Sequence, residues 1–207
     1  MSSKPVNIAV LVSGGGTTLQ NLIDQIGSGA LSARVVTVIA SKPGIKGIER
    51  AQAAGIPVQV VVRKEFASIE AFSGRIFSIL NDAKTDLLCL GGWLQLLKLP
   101  DEWIGKTINI HPSLLPLFGG KGMWGHHVHE AVLAAGCKVS GCTLHFVDNE
   151  YDAGPIILQR VCPVEATDTP DTLAARVFEQ EKIAYPQAIR LWQARRLHIE
   201  GRHVRVG

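Results

Sequence analysis

Short apolar runs recur along the first half of the chain and alternate with segments of helical periodicity. The runs are rich in Val, Ile and Leu and show little polar alternation, which is typical of parallel strands covered on both faces. They occupy residues 6–12, 35–41, 58–63, 86–92 and 107–111, and helical patterns lie between them at 19–26, 48–55 and 70–83. This order predicts an α/β fold, a Rossmann-like open and mostly parallel sheet with helices on both faces.

The pattern changes in the later part of the chain. Residues 129–136 predict another helix, and two closely spaced apolar segments, 140–148 and 154–164, predict strands. Two neighbouring strands with a short connection favour an antiparallel addition to the parallel sheet.

A long helix is predicted near the C-terminus, followed by a hairpin. Thr169 suits the N-cap and Pro170 the first turn, whereas Pro186 is expected to interrupt the helix near Tyr185. The last residues alternate basic and apolar side chains, which predicts a solvated edge hairpin that turns at 200–201.

Composition restricts the class of protein. The chain has 207 residues, of which 46% are hydrophobic, and shows no linker or repeat, so we expect one domain over residues 1–207. No apolar run is long enough to cross a membrane. The four cysteines form no CxxC pair, which favours reduced core residues and a cytoplasmic location. A net charge of +3 without a long basic run does not indicate nucleic acid as a partner.

A glycine-rich turn, "SGGGTTL", joins the first predicted strand to the first helix. Backbone N–H groups at a helix N-terminus bind anions, above all phosphate, although such turns also occur for purely steric reasons. The third glycine of the dinucleotide motif is replaced by Leu19, and the second strand ends at residues 41–42 without an acid. The turn therefore favours a phosphomonoester over a nicotinamide cofactor.

Two polar side chains stand at the end of the fifth predicted strand. Asn109 and His111 are two residues apart, so they share one face, and Pro112 ends the strand. Ligands of open α/β sheets bind outside the carboxyl ends of strands. The pair therefore either lies in a ligand site or holds the following loop in place.

An acidic loop follows the next predicted strand and contains Asp148, Asn149, Glu150 and Asp152. Most of these residues are expected to be solvated turn formers. One carboxylate close to His111 would favour the imidazolium form of that ring. The amide of Asn109 and the charged ring would then offer two donors to a developing oxyanion.

Four motifs in this order give the chain a resemblance to a known family. They are "SGGGTTLQNLI" (13–23), "NIHPSLLP" (109–116), "HFVDNEYDAGPIILQ" (145–159) and "EQEKIAYP" (179–186). The chain resembles the phosphoribosylglycinamide formyltransferases, which belong to the enzymes that use 10-formyltetrahydrofolate, from about residue 6 to its end. The resemblance implies a single formyltransferase domain with a phosphate-binding half, 1–105, and a catalytic and folate-binding half, 106–207.

The resemblance also implies residue roles. The catalytic residues would be Asn109, His111 and Asp152. Substrate binding would involve the phosphate loop and an acid near the ribose, that is Gly14, Gly15, Gly16, Thr17, Thr18 and Glu181. The folate would contact Trp93, Leu94, Gln95, Leu97, Val147, Asp148 and Tyr151, although Trp93 is equally explained as a core residue. Thr18 and Gln95 differ from the residues that many relatives carry at these positions.

The implied reaction is transfer of the formyl group of 10-formyltetrahydrofolate to the primary amine of glycinamide ribonucleotide in purine biosynthesis, by direct attack through a tetrahedral intermediate. Alternatives are hydrolysis of the formyl-folate, a phosphosugar-binding module without catalysis, and an NADP-dependent reductase. Small molecules are the expected partners, and the oligomeric state is left open.

A glycine-rich segment at 118–129 is expected to form a mobile flap. Three histidines, His126, His127 and His129, lie at its end and invite a metal interpretation. Since no cysteine lies nearby, we expect a histidine-rich loop and helix start rather than a metal site.

Overall fold

The computed structural model describes residues 4–207. Its described part contains a seven-stranded sheet, a two-stranded sheet, five α-helices and two short 3₁₀ helices. The chain divides into two compact units, one ending at Ile108 and the other running from Asn109 to Gly207. The sequence predicts the boundary between its two halves, 1–105 and 106–207, three residues earlier.

The first unit alternates strands and helices along the chain. Its strands occur in the order β3-β2-β1-β4, and every adjacent pair is parallel. The elements are β1 (Val6–Val12), α1 (Thr17–Gly27), β2 (Ala33–Ala40), α2 (Lys46–Ala53), β3 (Val58–Val60), α3 (Ile69–Asp82) and β4 (Leu87–Leu90), with 3₁₀ turns at Arg63–Glu65 and Asp101–Trp103. Strands β1 and β4 are almost entirely buried, as the unbroken apolar runs predict.

The ends of α2 and β3 have different causes. Gly55 adopts a φ of +67° just beyond α2, a left-handed conformation that ends helices and that glycine adopts without strain. Strand β3 is shorter than the run 58–63 predicts. It lies at the end of the strand order, and Gln59 and Val60 are exposed, so burial does not extend the strand.

The second unit contains the antiparallel addition. Strand β5 (Thr107–His111) contains the boundary between the units, and β6 (Val139–Phe146) pairs antiparallel with β7 (Ile156–Pro163). Helices α4 (His126–Ala134) and α5 (Pro170–Gln193) belong to this unit, as does the C-terminal hairpin of β8 (Leu197–Glu200) and β9 (His203–Val206). The mostly parallel sheet with an antiparallel part and the edge hairpin are thus confirmed.

Two predictions about helices were wrong. Helix α4 begins at His126, three residues before the predicted start. Helix α5 runs through Pro186 without ending near Tyr185. A proline inside a helix forfeits one backbone hydrogen bond, but one face of the helix on both sides of Pro186 is fully buried, at Ala184, Tyr185, Ala188 and Ile189. Burial of this apolar face outweighs the local preference of proline.

None of the helices in residues 4–207 is long and apolar enough to cross a membrane. The four cysteines are free, with Cys89, Cys142 and Cys162 buried. Burial raises the pKa of the Cys142 thiol to about 12, so that thiol stays protonated at neutral pH.

A polar cluster fixes the start of α5. Thr169 caps the helix and exchanges hydrogen bonds with Thr172. The side chain of Asp168 is only 2% exposed and accepts hydrogen bonds from the Arg176 guanidinium, from the Thr172 hydroxyl at 2.8 Å and from the Glu165 N–H at 2.7 Å. The Arg176 guanidinium beside Asp168 holds the pKa of that carboxyl well below its usual range. The stabilisation of α5 therefore depends on the charge of Asp168.

We expect Asp168→Asn to lower the midpoint of thermal unfolding, because the amide replaces a buried acceptor by a group with two donors. Since the folded pKa is depressed, the stabilisation is complete at neutral pH and is lost as the pH falls below the ordinary value of 3.8. The difference between wild type and variant should therefore shrink in acid. Glu179→Gln is the matched control, because the Glu179–Lys182 pair of the same helix is exposed and should change little. Equal shifts in both variants would contradict the role of Asp168.

Candidate active site

The glycine turn of the first unit leads directly into α1. Gly16 has a φ of +69° and stands at the N-cap of this helix. A Cβ on Gly16 would lie 2.7 Å from the Cα of Gly47, so the turn and α2 approach each other too closely for any side chain there. Arg50 donates from Nε to the Gly15 carbonyl at 2.9 Å. The first N–H groups of a helix have no partner within the helix, so this turn is built to present donors.

Strand β5 carries the polar pair at its end. Asn109 is half-buried and His111 is only 3% exposed. His111 points Nε2 at the Phe118 carbonyl oxygen at 2.7 Å. A carbonyl only accepts, so this nitrogen carries a proton. The contact also holds the following loop, which is one of the two interpretations that the sequence left open.

The loop after β6 places Asp152 beside Asn109 and His111 at the end of β5. Its Oδ2 lies 3.4 Å from Nδ1 of His111 and accepts a hydrogen bond from the Gly120 N–H at 2.9 Å. Its Oδ1 lies 3.4 Å from Nδ2 of Asn109. Asp152 has a φ of +53°, a left-handed conformation that is uncommon outside glycine, and such conformations concentrate at functional sites. The structure thus brings Asn109, His111 and Asp152 together.

Asp152 is ionised in these surroundings. Burial alone would raise the pKa of this carboxyl, but hydrogen bonding to His111, the nearby ring of His145, the positive charge of His111 and the Gly120 N–H outweigh burial, and the pKa lies well below its usual range. Both ring nitrogens of His111 face acceptors, one a carbonyl and the other a carboxylate. This arrangement suits the form of the ring that carries both protons.

A second set of hydrogen bonds holds the segment after β5. The Thr143 hydroxyl donates to the Ser113 carbonyl at 2.7 Å and accepts from the Leu115 N–H at 3.0 Å. Gln159 on β7 donates to the Leu115 carbonyl at 2.9 Å. Because β6 and β7 hold this segment at two points, the end of β5 is fixed against the strands that deliver Asp152.

Glu181 on α5 is another acidic residue of this unit. The residue keeps some surface exposure, but its carboxyl group is surrounded by protein, and this desolvation raises the pKa of Glu181 to about 7, against the opposing charge of His111. The carboxyl therefore changes its charge near neutral pH.

The segments with predicted folate contacts divide into buried and exposed residues. Trp93 and Leu97 are buried, and the Trp93 ring stacks on Phe72 at 6.2 Å. Within the described residues, the Trp93 Nε1 is buried without a hydrogen-bond partner. Leu94 is exposed and Gln95 is half-buried. The residues of the second unit are half-buried or exposed, namely Val147, Asp148 and Tyr151.

The three histidines near the start of α4 have different surroundings. His126 lies 3.5 Å from Asp171, and His127 lies 3.3 Å from Glu130. His129 is buried, and desolvation lowers its pKa to about 4. Over residues 4–207, no group of three or more His, Cys, Asp or Glu side chains is placed to hold a metal ion.

Sequence reasoning missed His145, the penultimate residue of β6. This side chain is only 2% exposed, and its Nε2 lies 3.0 Å from Nδ2 of Asn109. The available signal was the one that marked Asn109, a polar residue near the end of a buried apolar strand.

Comparisons with known proteins agree with this geometry. The family model described as formyl transferase matches residues 6–189. The trifunctional purine biosynthetic protein adenosine-3 of Gallus gallus is 41% identical over 193 residues, which cover 92% of this chain and 19% of that protein. The chain thus spans about a fifth of the length of this relative.

Solved structures give the same result. Glycinamide ribonucleotide transformylase 1 from Symbiobacterium toebii superimposes with a TM-score of 0.91 at 39% identity, covering 99% of this chain and 95% of that one. A formyltetrahydrofolate deformylase from Pseudomonas syringae pv. tomato has a TM-score of 0.86 at 23% identity, covering 98% and 66% of the two chains, and at that identity the likeness shows the fold alone. The family match over most of the sequence and the close structural likeness establish that the chain belongs to the formyl transferase family.

Proposed function

We propose that the protein transfers the formyl group of 10-formyltetrahydrofolate to the primary amine of glycinamide ribonucleotide, a step of purine biosynthesis. The observation that carries the proposal is the cluster of an amide, an imidazole and an ionised carboxylate at the end of β5. The choice of substrate is supported by the 39% identity to a solved protein named glycinamide ribonucleotide transformylase, and the pathway by the 41% identity to a protein named for purine biosynthesis. The free cysteines support the cytoplasm as the proposed location.

The chemistry needs stabilisation of a negative charge on the formyl oxygen. When the amine attacks the formyl carbon, the carbonyl oxygen becomes an oxyanion. Asn109 offers a side-chain N–H, and His111 offers a charged ring N–H. Asp152 favours the protonated ring and is placed to accept a proton from the attacking amine, directly or through water. The tetrahedral intermediate then collapses by cleavage of the bond between the formyl carbon and the folate nitrogen, which leaves with the proton taken from the amine. No covalent enzyme intermediate is required.

His111 must release one of its present acceptors before it can bind an oxyanion. Its Nε2 is engaged by the Phe118 carbonyl at 2.7 Å, while its Nδ1 faces Asp152 at the longer distance of 3.4 Å. Phe118 has a φ of +55° and precedes two glycines. Backbone rotation at residues 118–120 would withdraw this carbonyl, which agrees with the expectation of a mobile flap over 118–129.

We assign the phosphate and ribose of the substrate to separate elements. Gly14 to Thr18 present the N-terminus of α1, whose N–H groups and dipole favour a phosphate. Because backbone N–H groups bind the phosphate in this assignment, binding does not depend on the side chain at residue 18. Glu181 is assigned to the ribose, because an ionised carboxylate accepts hydrogen bonds from two hydroxyl groups. The folate is assigned to Trp93, Leu94, Gln95 and Leu97 together with Val147, Asp148 and Tyr151.

An assay with both substrates tests the proposal against its alternatives. Purified protein is supplied with formyl-folate, with or without glycinamide ribonucleotide, and the formylated product and free tetrahydrofolate are both measured. We expect formyl transfer that requires the amine. Release of folate without the amine would instead identify a deformylase, and the absence of turnover would favour a phosphosugar-binding module.

Asn109→Ala removes an oxyanion donor and is expected to lower kcat roughly 10²–10³-fold. Asp152→Asn removes the charge that favours the protonated ring, and we expect a severe loss of kcat there as well. Steady-state kinetics measures both effects, and circular dichroism checks the fold. Glu150→Gln is the matched control, since Glu150 is exposed in the same loop. Near-normal rates in either test variant would refute its role.

Glu181 predicts a pH dependence of substrate binding. Because the pKa of this carboxyl is raised to about 7, the group is neutral below that pH and becomes a charged acceptor above it. Affinity for glycinamide ribonucleotide should therefore increase as the pH rises through about 7. Calorimetric titration of wild type and Glu181→Gln isolates this effect, since the titrations of the phosphate and amine are common to both.

A raised carboxyl pKa also lowers folding stability as the pH rises from 4.5 towards 7, because the folded state binds the proton more tightly. Glu181→Gln should consequently be at least as stable as wild type above that range. Lost affinity in the variant then reflects the ribose contact and not unfolding. An unchanged pH dependence in Glu181→Gln would remove Glu181 from the ribose site.

A further inference from the structure

We propose that His145 is a positioning residue that fixes the orientation of the Asn109 side-chain amide, so that one N–H of this amide is held by the protein and the other is available to the oxyanion. The catalytic consequence rests on the proposed formyl transfer. The hydrogen-bond arrangement itself is argued from the contacts of His145, Asn109 and Asp152 alone.

The first step concerns the proton on the His145 ring. Its Nδ1 lies 2.8 Å from the carbonyl oxygen of Phe146. Because a carbonyl oxygen only accepts, Nδ1 must carry the proton. In the neutral ring Nε2 is then bare and can only accept.

The second step concerns the amide. Nε2 of His145 lies 3.0 Å from Nδ2 of Asn109, a normal hydrogen-bond distance. The same nitrogen lies 3.7 Å from Oδ1 of Asp152, which is too long for a hydrogen bond. Asn109 is therefore the partner of His145, and the amide donates.

The third step excludes the reversed amide. Nδ2 of Asn109 also lies 3.4 Å from Oδ1 of Asp152. If the amide were turned over, its oxygen would face an ionised carboxylate at this distance and would meet a bare ring nitrogen on the other side. Both neighbours accept, so only the NH₂ group fits between them.

The two N–H groups of Asn109 are held unequally. The bond to His145 at 3.0 Å is short, and the contact with Asp152 at 3.4 Å is near the limit of a hydrogen bond. An oxyanion can replace the weaker acceptor without disturbing the stronger one. The bond to His145 therefore keeps the amide in place while the other N–H changes partner.

Local structure holds the His145 ring in this position. The β6/β7 register shifts between Leu144 and His145, and such irregularities re-aim side chains next to functional sites. A Cβ on Gly154 would lie 1.9 Å from the Phe146 carbonyl oxygen, so the returning chain closes over this carbonyl only because residue 154 is glycine. The Phe146 carbonyl, which selects the tautomer of the His145 ring, is thereby held in position.

Nitrogen NMR of protein labelled at histidine tests the tautomer without reference to activity. We expect His145 in the ligand-free protein at neutral pH to carry its proton on Nδ1, the less common tautomer of free histidine. The His145→Gln variant assigns the signal by its disappearance. A proton on Nε2, alone or together with Nδ1, would overturn the inference even if the protein proves to be a formyltransferase.

Kinetics tests the coupling. We expect His145→Phe to lower kcat roughly tenfold or more, but by less than the 10²–10³-fold of a lost oxyanion donor, with KM for glycinamide ribonucleotide nearly unchanged. His145→Gln supplies an amide oxygen that can accept from Asn109 and should lose less. In an Asn109→Ala background neither change should lower kcat further, because their effect passes through the missing amide.

Ser140→Ala is the matched control, because Ser140 is buried on the same strand and its hydroxyl has no hydrogen-bond partner among the residues that the structure describes. It should leave kcat unchanged. Should His145→Phe not fold, the Gln variant and the tautomer decide the question. Equal losses from His145 substitution with and without Asn109 would show a merely structural role and overturn the proposal. Absence of any formyl transfer by the wild type would instead refute the proposed function and leave the tautomer test valid.

Discussion

The need to satisfy one desolvated carboxylate organises the second unit. Asp152 is ionised although little water reaches it, so the protein must supply donors on each side. The Gly120 N–H, the His111 ring and the Asn109 amide all converge on its two oxygens. Each comes from a different part of the chain, and the left-handed backbone at residue 152 is the local cost of bringing the carboxylate to them.

The surrounding strands make this convergence possible. The polar pair is carried by β5, the Thr143 network holds the chain after β5, and the loop that bears Asp152 joins β6 to β7. Rigid strands place side chains more accurately than free loops do. The chemistry thus occurs where strand ends meet loops that are held at several points.

Much of this could be read from the sequence because the local and global signals agree. The limits of β5 follow from Thr107, Ile108 and Ile110, which have strand propensity, and from Pro112, and the cap of α5 follows from Thr169 and Pro170. The predicted interruption at Pro186 was wrong because burial of one face of the helix on both sides of this residue is a tertiary effect that local propensity does not contain. Residue pattern alone could name Asp152 as one of several acids, and the family resemblance selected it. The contact between Asp152 and His111 depends on the left-handed backbone of Asp152 and on the hydrogen bond from Gly120, and the hydrophobic pattern of the sequence predicts neither. His145 was missed because its role exists only through its partner on another strand.

The contact between the Phe118 carbonyl and His111 has a consequence for ligands. The ring already binds an oxygen of the same polypeptide, so an incoming acyl compound competes with an intramolecular acceptor. The effective concentration of that acceptor does not fall when the protein is diluted. Such compounds bind only the fraction of molecules in which the Phe118 carbonyl has left the ring. Their apparent dissociation constants are therefore higher than the intrinsic ones, by the reciprocal of that fraction. A compound that also stabilises the backbone conformation without the Phe118–His111 contact would bind more tightly than its own contact with the ring implies.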